Sequence, residues 1–161
     1  MSRATAEDHR WLLEAIALSQ RCPPTDTAYC VGAIVTLGGA WVADGFSREN
    51  NDPHVHAEEA ALGKLDRTDL HRTDLGGATL YSSLEPCSVR RSRDRTCTQL
   101  ILESGIRRVV FALREPLLFA DCEGAELLQA AGIDVVEVAE LGPAVEEVNA
   151  RVLLRQGQKG D

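Results

Sequence analysis

Residues 78–88 read Ala78-Thr79-Leu80-Tyr81-Ser82-Ser83-Leu84-Glu85-Pro86-Cys87-Ser88. The run suits a half-buried pleated backbone and is broken by Glu85-Pro86, which predicts a strand over Ala78–Leu84 that hands the chain to a cysteine. Downstream, the spacing predicts helix Thr98–Ser104 ending at Gly105, strand Arg107–Leu113, helix Glu123–Ala131 stopped by Gly132, strand Ile133–Val138 and an amphipathic helix Pro143–Leu154. Upstream, a helix over Ala57–Leu65 rich in alanine and leucine is separated from the strand by a polar connection, Asp66–Gly77. Before that, Val31–Leu37 and Ala40–Phe46 flank Gly38-Gly39 as a hairpin, with a polar loop over Ser47–Pro53. The chain opens with helical spacing at Trp11, Leu12, Ala15, Ile16 and Leu18 over Asp8–Gln20, ended by Cys22-Pro23-Pro24. Strands alternating with helices after a hairpin predict an α/β fold: a three-layer α-β-α sandwich around a mixed sheet.

The 161 residues suit one domain, 1–155, with a loose tail over 156–161. An apolar share of 44% is enough to offset chain entropy and excludes a disordered chain. Acidic residues outnumber basic ones, 25 to 17, and the net charge of −8 argues against a grip on nucleic acid. No run of roughly 20 apolar residues is present to span a membrane, and Glu14 interrupts the one N-terminal run that could resemble a secretory signal. A cytoplasmic protein is expected. Its five cysteines, Cys22, Cys30, Cys87, Cys97 and Cys122, then read as packed thiols or metal ligands rather than disulfides.

Two segments carry chemistry: His54-Val55-His56-Ala57-Glu58 at the start of the second helix, and Glu85-Pro86-Cys87-Ser88 with Cys97 beyond it. Imidazole and thiolate are ligands that zinc prefers, and a catalytic zinc keeps three protein ligands and one open position. A carboxylate nearby can move protons for a water activated there. Three other readings stay open on these residues: core thiols with a solvated histidine, a closed structural zinc site with His54 as fourth ligand, and a catalytically silent zinc-binding interaction module.

On Val31-Gly32-Ala33-Ile34-Val35, His56-Ala57-Glu58, Leu84-Glu85-Pro86-Cys87-Ser88, Cys97, and Gly124…Leu128…Ala131-Gly132-Ile133, the chain resembles the cytidine deaminase superfamily. It is most similar to the pyrimidine deaminase branch of riboflavin biosynthesis. The resemblance implies a five-stranded mixed sheet, a homodimer, one zinc ion held by His56, Cys87 and Cys97, and Glu58 as proton shuttle. It also implies that the segment around Ser83, Leu84 and Glu85 holds a flat ring near the metal, with Ser47 and Phe119 as further substrate contacts. The expected reaction is hydrolytic deamination of a small amino-heterocycle, such as a cytosine-like or triazine base, an isoguanine-type purine or a nucleoside, with release of ammonia.

This chain departs from the riboflavin branch at Ser47 and Ala60, and between the cysteines, where it has Val89-Arg90-Arg91-Ser92-Arg93-Asp94-Arg95-Thr96. A free-standing deaminase of a small heterocycle is therefore placed first. Deamination of a diaminopyrimidine nucleotide in the riboflavin pathway is the alternative. The arginines at 90, 91, 93 and 95 read either as a solvated loop or as a site for a substrate phosphate. Glu59 reads as a solvated or supporting carboxylate, and Cys22, Cys30 and Cys122 as packed thiols.

Overall fold

The structure, a computed structural model, describes residues 2–71, 74–116 and 122–159, with side chains described to residue 155. A five-stranded mixed sheet runs in the order β2-β1-β3-β4-β5, with β1 Gly32–Leu37, β2 Ala40–Phe46, β3 Ala78–Leu84, β4 Arg108–Leu113 and β5 Asp134–Glu137. The strands β2, β1 and β3 pair antiparallel, whereas β3, β4 and β5 are parallel. Helix α1 (Ala6–Ser19) packs on β1 and β3 on one face, beside α5 (Gly142–Val148). On the opposite side α2 (Ala57–Leu65) lies on β2 and β1, α3 (Cys97–Ser104) lies between α2 and α4, and α4 (Gly124–Ala130) reaches β5. These are the three predicted layers. With both faces covered, β1 and β3 are buried almost throughout, as an interior strand must be.

Local chemistry sets the helix ends. Thr5 accepts from the Asp8 N–H while the Asp8 carboxylate accepts from the Thr5 N–H, so α1 begins at Ala6, two residues before the sequence places it. The same reciprocal box between Thr96 and Gln99 starts α3 at Cys97. Asp8 is also buried, and both its oxygens accept from the Arg108 guanidinium on β4, at 2.6 and 2.8 Å. The Tyr81 hydroxyl on β3 donates to it at 3.0 Å, so one carboxylate ties α1 to the middle of the sheet.

The last predicted helix is two helices, and it is longer than its apolar pattern suggested. Asn149 separates α5 from α6 (Ala150–Lys159), its side chain turned to the Cys30 N–H (2.7 Å) and C=O (3.2 Å). An Asx side chain that bonds distant backbone competes with helix continuation. Helix α6 then continues through residues 156–159, which the sequence reading leaves as a tail.

Two glycines set how closely the site's elements approach. A Cβ on Gly45 would lie 2.3 Å from the Ala57 carbonyl, so only glycine lets the first turn of α2 settle on β2. A Cβ on Gly124 would lie 2.0 Å from the Pro86 carbonyl, so glycine there lets α4 close on the Pro86-Cys87 segment.

Candidate active site

The three predicted ligands come from three elements. His56 is the extended N-cap residue of α2, Cys87 follows the end of β3, and Cys97 is the first residue of α3. The Nδ1 of His56 lies 3.3 Å from Cys97 Sγ and 3.6 Å from Cys87 Sγ, and the three donor atoms all fall within 4.8 Å of one another. Ligand bonds of about 2.0–2.3 Å at tetrahedral angles place zinc donors roughly 3.5–3.8 Å apart. The cluster therefore fits zinc in both geometry and donor chemistry. The Cys97 thiol, the Cys97 N–H (3.3 Å) and His56 all lie against Cys87 and hold its thiol well below the ordinary range, in spite of burial. His54 is exposed and lies outside this cluster, which removes the four-ligand closed site.

Glu58, one residue into α2, is buried at 4% exposure. Burial pushes its carboxyl up from the usual range. The Ser82 Oγ lies 2.8 Å from Glu58 Oε1 and 2.7 Å from the Leu84 carbonyl. A hydroxyl has one proton to give, and the carbonyl can only accept. Ser82 can therefore donate to the carbonyl and accept from a protonated Glu58, or donate to an ionised one. Both states of the acid have a partner.

Glu58, His56 and Cys87 face a cavity of about 370 Å³ whose walls also include Tyr29, Arg48, His54, Leu84 and Glu115. Of the expected substrate contacts, Leu84, Ser47 and Glu85 border it and Ser83 does not. The polar groups of Ser47, Ser83 and Glu85 are already engaged. The Ser47 hydroxyl accepts from the Val31 N–H, the Ser83 hydroxyl accepts from the Gly32 N–H, and the Glu85 carboxylate accepts from the N–H groups of Glu115 and Ala125. Their observed contacts hold backbone, as short polar side chains at strand ends commonly do. Phe119 lies outside the described residues.

The arginine-rich loop is divided: Arg91 and Arg95 are exposed, as a solvated loop would have them, whereas Arg90 and Arg93 turn inward onto carboxylates. The Arg90 side chain is only 2% exposed and donates to Glu59 Oε1 at 2.8 Å and to the His54 carbonyl at 2.5 Å. Arg93 pairs with Asp52 and Glu59, and Arg95 with Glu103. Glu59 Oε1 also accepts from the His56 N–H at 3.3 Å, so Arg90 braces the ligand's own backbone through one carboxylate. Glu115, missed in the sequence, is half-buried beside the cavity, and its carboxyl is pushed up to about 7 by burial. A signal for it exists. β3 ends in Leu84-Glu85-Pro86 and its parallel neighbour β4 ends in Leu113-Arg114-Glu115-Pro116, with Leu84 paired to Leu113.

A mixed α/β sandwich bringing one histidine, two cysteines and a buried glutamate together at a cavity is the arrangement of a zinc-dependent hydrolytic deaminase. Residues 5–113 match the model of the cytidine and deoxycytidylate deaminase zinc-binding region, and the chain belongs to that family. The chain is 42% identical over 130 residues to a diaminohydroxyphosphoribosylamino-pyrimidine deaminase of Schizosaccharomyces pombe, a match covering 79% of this chain and 31% of that protein. It is 40% identical over 105 residues to the riboflavin biosynthesis protein RibD of Aquifex aeolicus, covering 65% and 27%. The chain thus spans about a third of the length of these curated relatives. Among solved structures, a bifunctional diaminohydroxyphosphoribosylaminopyrimidine deaminase/5-amino-6-(5-phosphoribosylamino)uracil reductase of Thermotoga maritima superposes with a TM-score of 0.78 at 30% identity, over 95% of this chain and 42% of that one. The Aspergillus oryzae Rib2 deaminase, a C-terminal deletion mutant, gives 0.75 at 25% identity, over 94% of each chain.

Proposed function

We propose that this chain catalyses hydrolytic deamination of a diaminopyrimidine carrying a ribosyl phosphate, in the manner named for its relatives. The convergence of His56, Cys87 and Cys97 beside the buried Glu58 carries the deaminase part. The relatives' names support the substrate, and the Aspergillus Rib2 deaminase has been solved in complex with DARIPP. This reverses the order drawn from Ser47, Ala60 and the loop between the cysteines, which had placed a cytosine-like or triazine base first. Several of those departures fall on side chains engaged with neighbouring protein groups, Ser47 with Val31 and Arg90, Arg93 and Arg95 with Glu59, Asp52 and Glu103, so the relatives' names outweigh them.

In this reading His56, Cys87 and Cys97 hold zinc, which when bound lowers the pKa of water to roughly 7. Glu58 accepts a proton as water adds to the ring carbon and delivers it to the ring nitrogen. It then takes the proton of the added hydroxyl and passes it to the departing amine, so that the C–N bond breaks, ammonia leaves and a carbonyl remains. Its burial favours the protonated form needed for delivery, and Ser82 holds the carboxyl in both states. Leu84 lies at the cavity wall where a flat ring would rest.

The decisive experiment pairs Glu58→Gln with a screen of ammonia release over the diaminopyrimidine ribosyl phosphate, its dephosphorylated form, cytosine, cytidine and a triazine. The parent chain releases ammonia from the phosphorylated substrate. The Glu58→Gln variant keeps about one zinc per chain and loses turnover on the order of 10²–10⁴-fold. Faster turnover of a free base reinstates the small-heterocycle reading, whereas an unaffected variant removes Glu58 from the mechanism.

A further inference from the structure

Outside the deaminase centre, the segment between α1 and β1 brings two cysteines together that sequence inspection treats as separate packed thiols. Cys22 Sγ and Cys30 Sγ lie 2.6 Å apart, eight residues from each other along the chain. The Arg48 guanidinium sits against both sulfurs, at 2.6 Å from Cys22 and 3.3 Å from Cys30. Arg48 has a left-handed backbone, φ 60°, and its guanidinium also donates to the carbonyls of Pro23 and Tyr29. Cys22 is buried, while Cys30 is partly exposed.

We infer that Cys22 and Cys30 form an oxidation site, a dithiol that hydroperoxides convert to a reversible disulfide. Three observations carry it. The sulfurs already lie within reach of a bond with little backbone movement. A fixed guanidinium beside them stabilises a thiolate, the form that attacks peroxide. The exposed member is Cys30, which makes it the sulfur that meets oxidant, and the buried Cys22 is placed to resolve the product. Charge follows the same assignment. The Cys22 thiol, facing Cys30, holds Cys30 down to about 7 despite burial, with Arg48 adding to the effect, while Cys22 itself is pushed up.

The chemistry balances without a further reactant. The Cys30 thiolate attacks one oxygen of the peroxide, the O–O bond breaks, and the departing hydroxide takes the thiol's proton as water. The Cys22 sulfur then attacks the Cys30 sulfenic acid, forming the S–S bond and releasing a second water. Two thiols are oxidised by two electrons and one peroxide is reduced. A dithiol reductant reverses the step. Oxidation also removes the thiolate from Arg48. That arginine reaches the cavity wall, and its backbone N–H donates to the Val55 carbonyl, one residue from His56.

The test uses the zinc-loaded full chain, reduced beforehand and exposed to one equivalent of hydrogen peroxide, with remaining thiols alkylated and peptides mapped by mass. The expected product is a Cys22–Cys30 linked peptide, two hydrogen masses lighter and restored by dithiothreitol, formed at least about tenfold faster than oxidation of Cys122 in the same sample. In Cys22→Ser the resolving sulfur is gone, and Cys30 is trapped as a dimedone adduct. Arg48→Leu slows adduct formation several-fold in the Cys22→Ser background. Oxidation of Cys30 no faster than Cys122, or a Cys22→Ser chain whose Cys30 takes up no dimedone, overturns the assignment.

Discussion

Replacing Arg90 by alanine tests whether the loop between the two cysteines holds the metal site together. Arg90 is nearly inaccessible, and it donates to Glu59, the His54 carbonyl and Ser92. Breaking a fully buried ion pair from one side costs about 3–5 kcal/mol. Glu59 retains some solvent at 26% exposure and keeps Arg93 at 3.4 Å, so it is not stranded completely. The expected loss is therefore smaller, about 2–3 kcal/mol by the same reasoning. Glu59 also accepts from the His56 N–H, which makes Arg90 an outer support of a ligand. Loss of such support typically weakens metal affinity about 10–100-fold. Urea denaturation gives the stability change, and competition with a chromophoric chelator gives the zinc affinity. The control is Arg91→Ala, since Arg91 is exposed. Adding Glu59→Gln closes a double-mutant cycle, with an expected coupling of roughly 1–3 kcal/mol. An Arg90→Ala chain that matches Arg91→Ala in both stability and zinc retention refutes the bracing role.

Ser82→Ala removes the hydroxyl that holds Glu58. It is expected to lower kcat about 10–100-fold, from roughly 1.5–3 kcal/mol for a hydrogen bond to an ionisable group, with KM and zinc content unchanged and Ser82→Thr restoring part of the rate. Steady-state kinetics and metal analysis check this, and a loss of zinc would instead make Ser82 structural. For Asp8, burial raises the carboxyl but the Arg108 guanidinium, the Thr5 N–H and the Tyr81 hydroxyl outweigh it, leaving a pKa of about 2 against 3.8 when unfolded. A depressed pKa stabilises the fold above the unfolded value and loses that contribution as pH falls toward the folded one, here about 2 kcal/mol. Asp8→Asn should therefore lower stability by about that much at pH 7 and by little near pH 2. Taking the difference from the parent cancels the metal ligands' own acid sensitivity, and a pH-independent difference would show that Asp8 acts by packing alone.

The sheet was legible because its signals are local. Alternating apolar runs, Gly38-Gly39, Glu85-Pro86, Gly105 and Gly132 each punctuate the chain within a few residues, and the five strands fall where they indicate. The departures occur where a partner far along the chain intervenes. Asn149 ends α5 with its side chain held by Cys30, and nothing in residues 143–154 encodes that. The metal cluster was also legible, for a different reason. Zinc chemistry accepts few residue types, so one histidine and two cysteines near chain breaks are conspicuous before their distances are known. Substrate contacts have no such restriction. Serine at a strand end serves a ligand or a backbone equally well by composition, and nothing in the sequence encodes that the Ser47 and Ser83 hydroxyls accept from the Val31 and Gly32 N–H groups.

The arginines make the same point about charge. Four of them in six residues read as a basic patch because their neighbours in sequence are Ser92, Asp94 and Thr96. In space, Arg90, Arg93 and Arg95 meet Glu59, Asp52 and Glu103, drawn from α2, the loop before it and α3. A phosphate reaching Arg90 would have to displace Glu59, which is also the acceptor for the His56 N–H, so anion binding there would loosen the histidine. If the proposed substrate is correct, that conflict argues against Arg90 as the group that meets its phosphate. It also makes the double variant of Arg90 and Glu59 informative about substrate: if phosphate recognition lies outside this pair, the variant's turnover falls with its zinc, while its preference for the phosphorylated over the dephosphorylated pyrimidine stays unchanged.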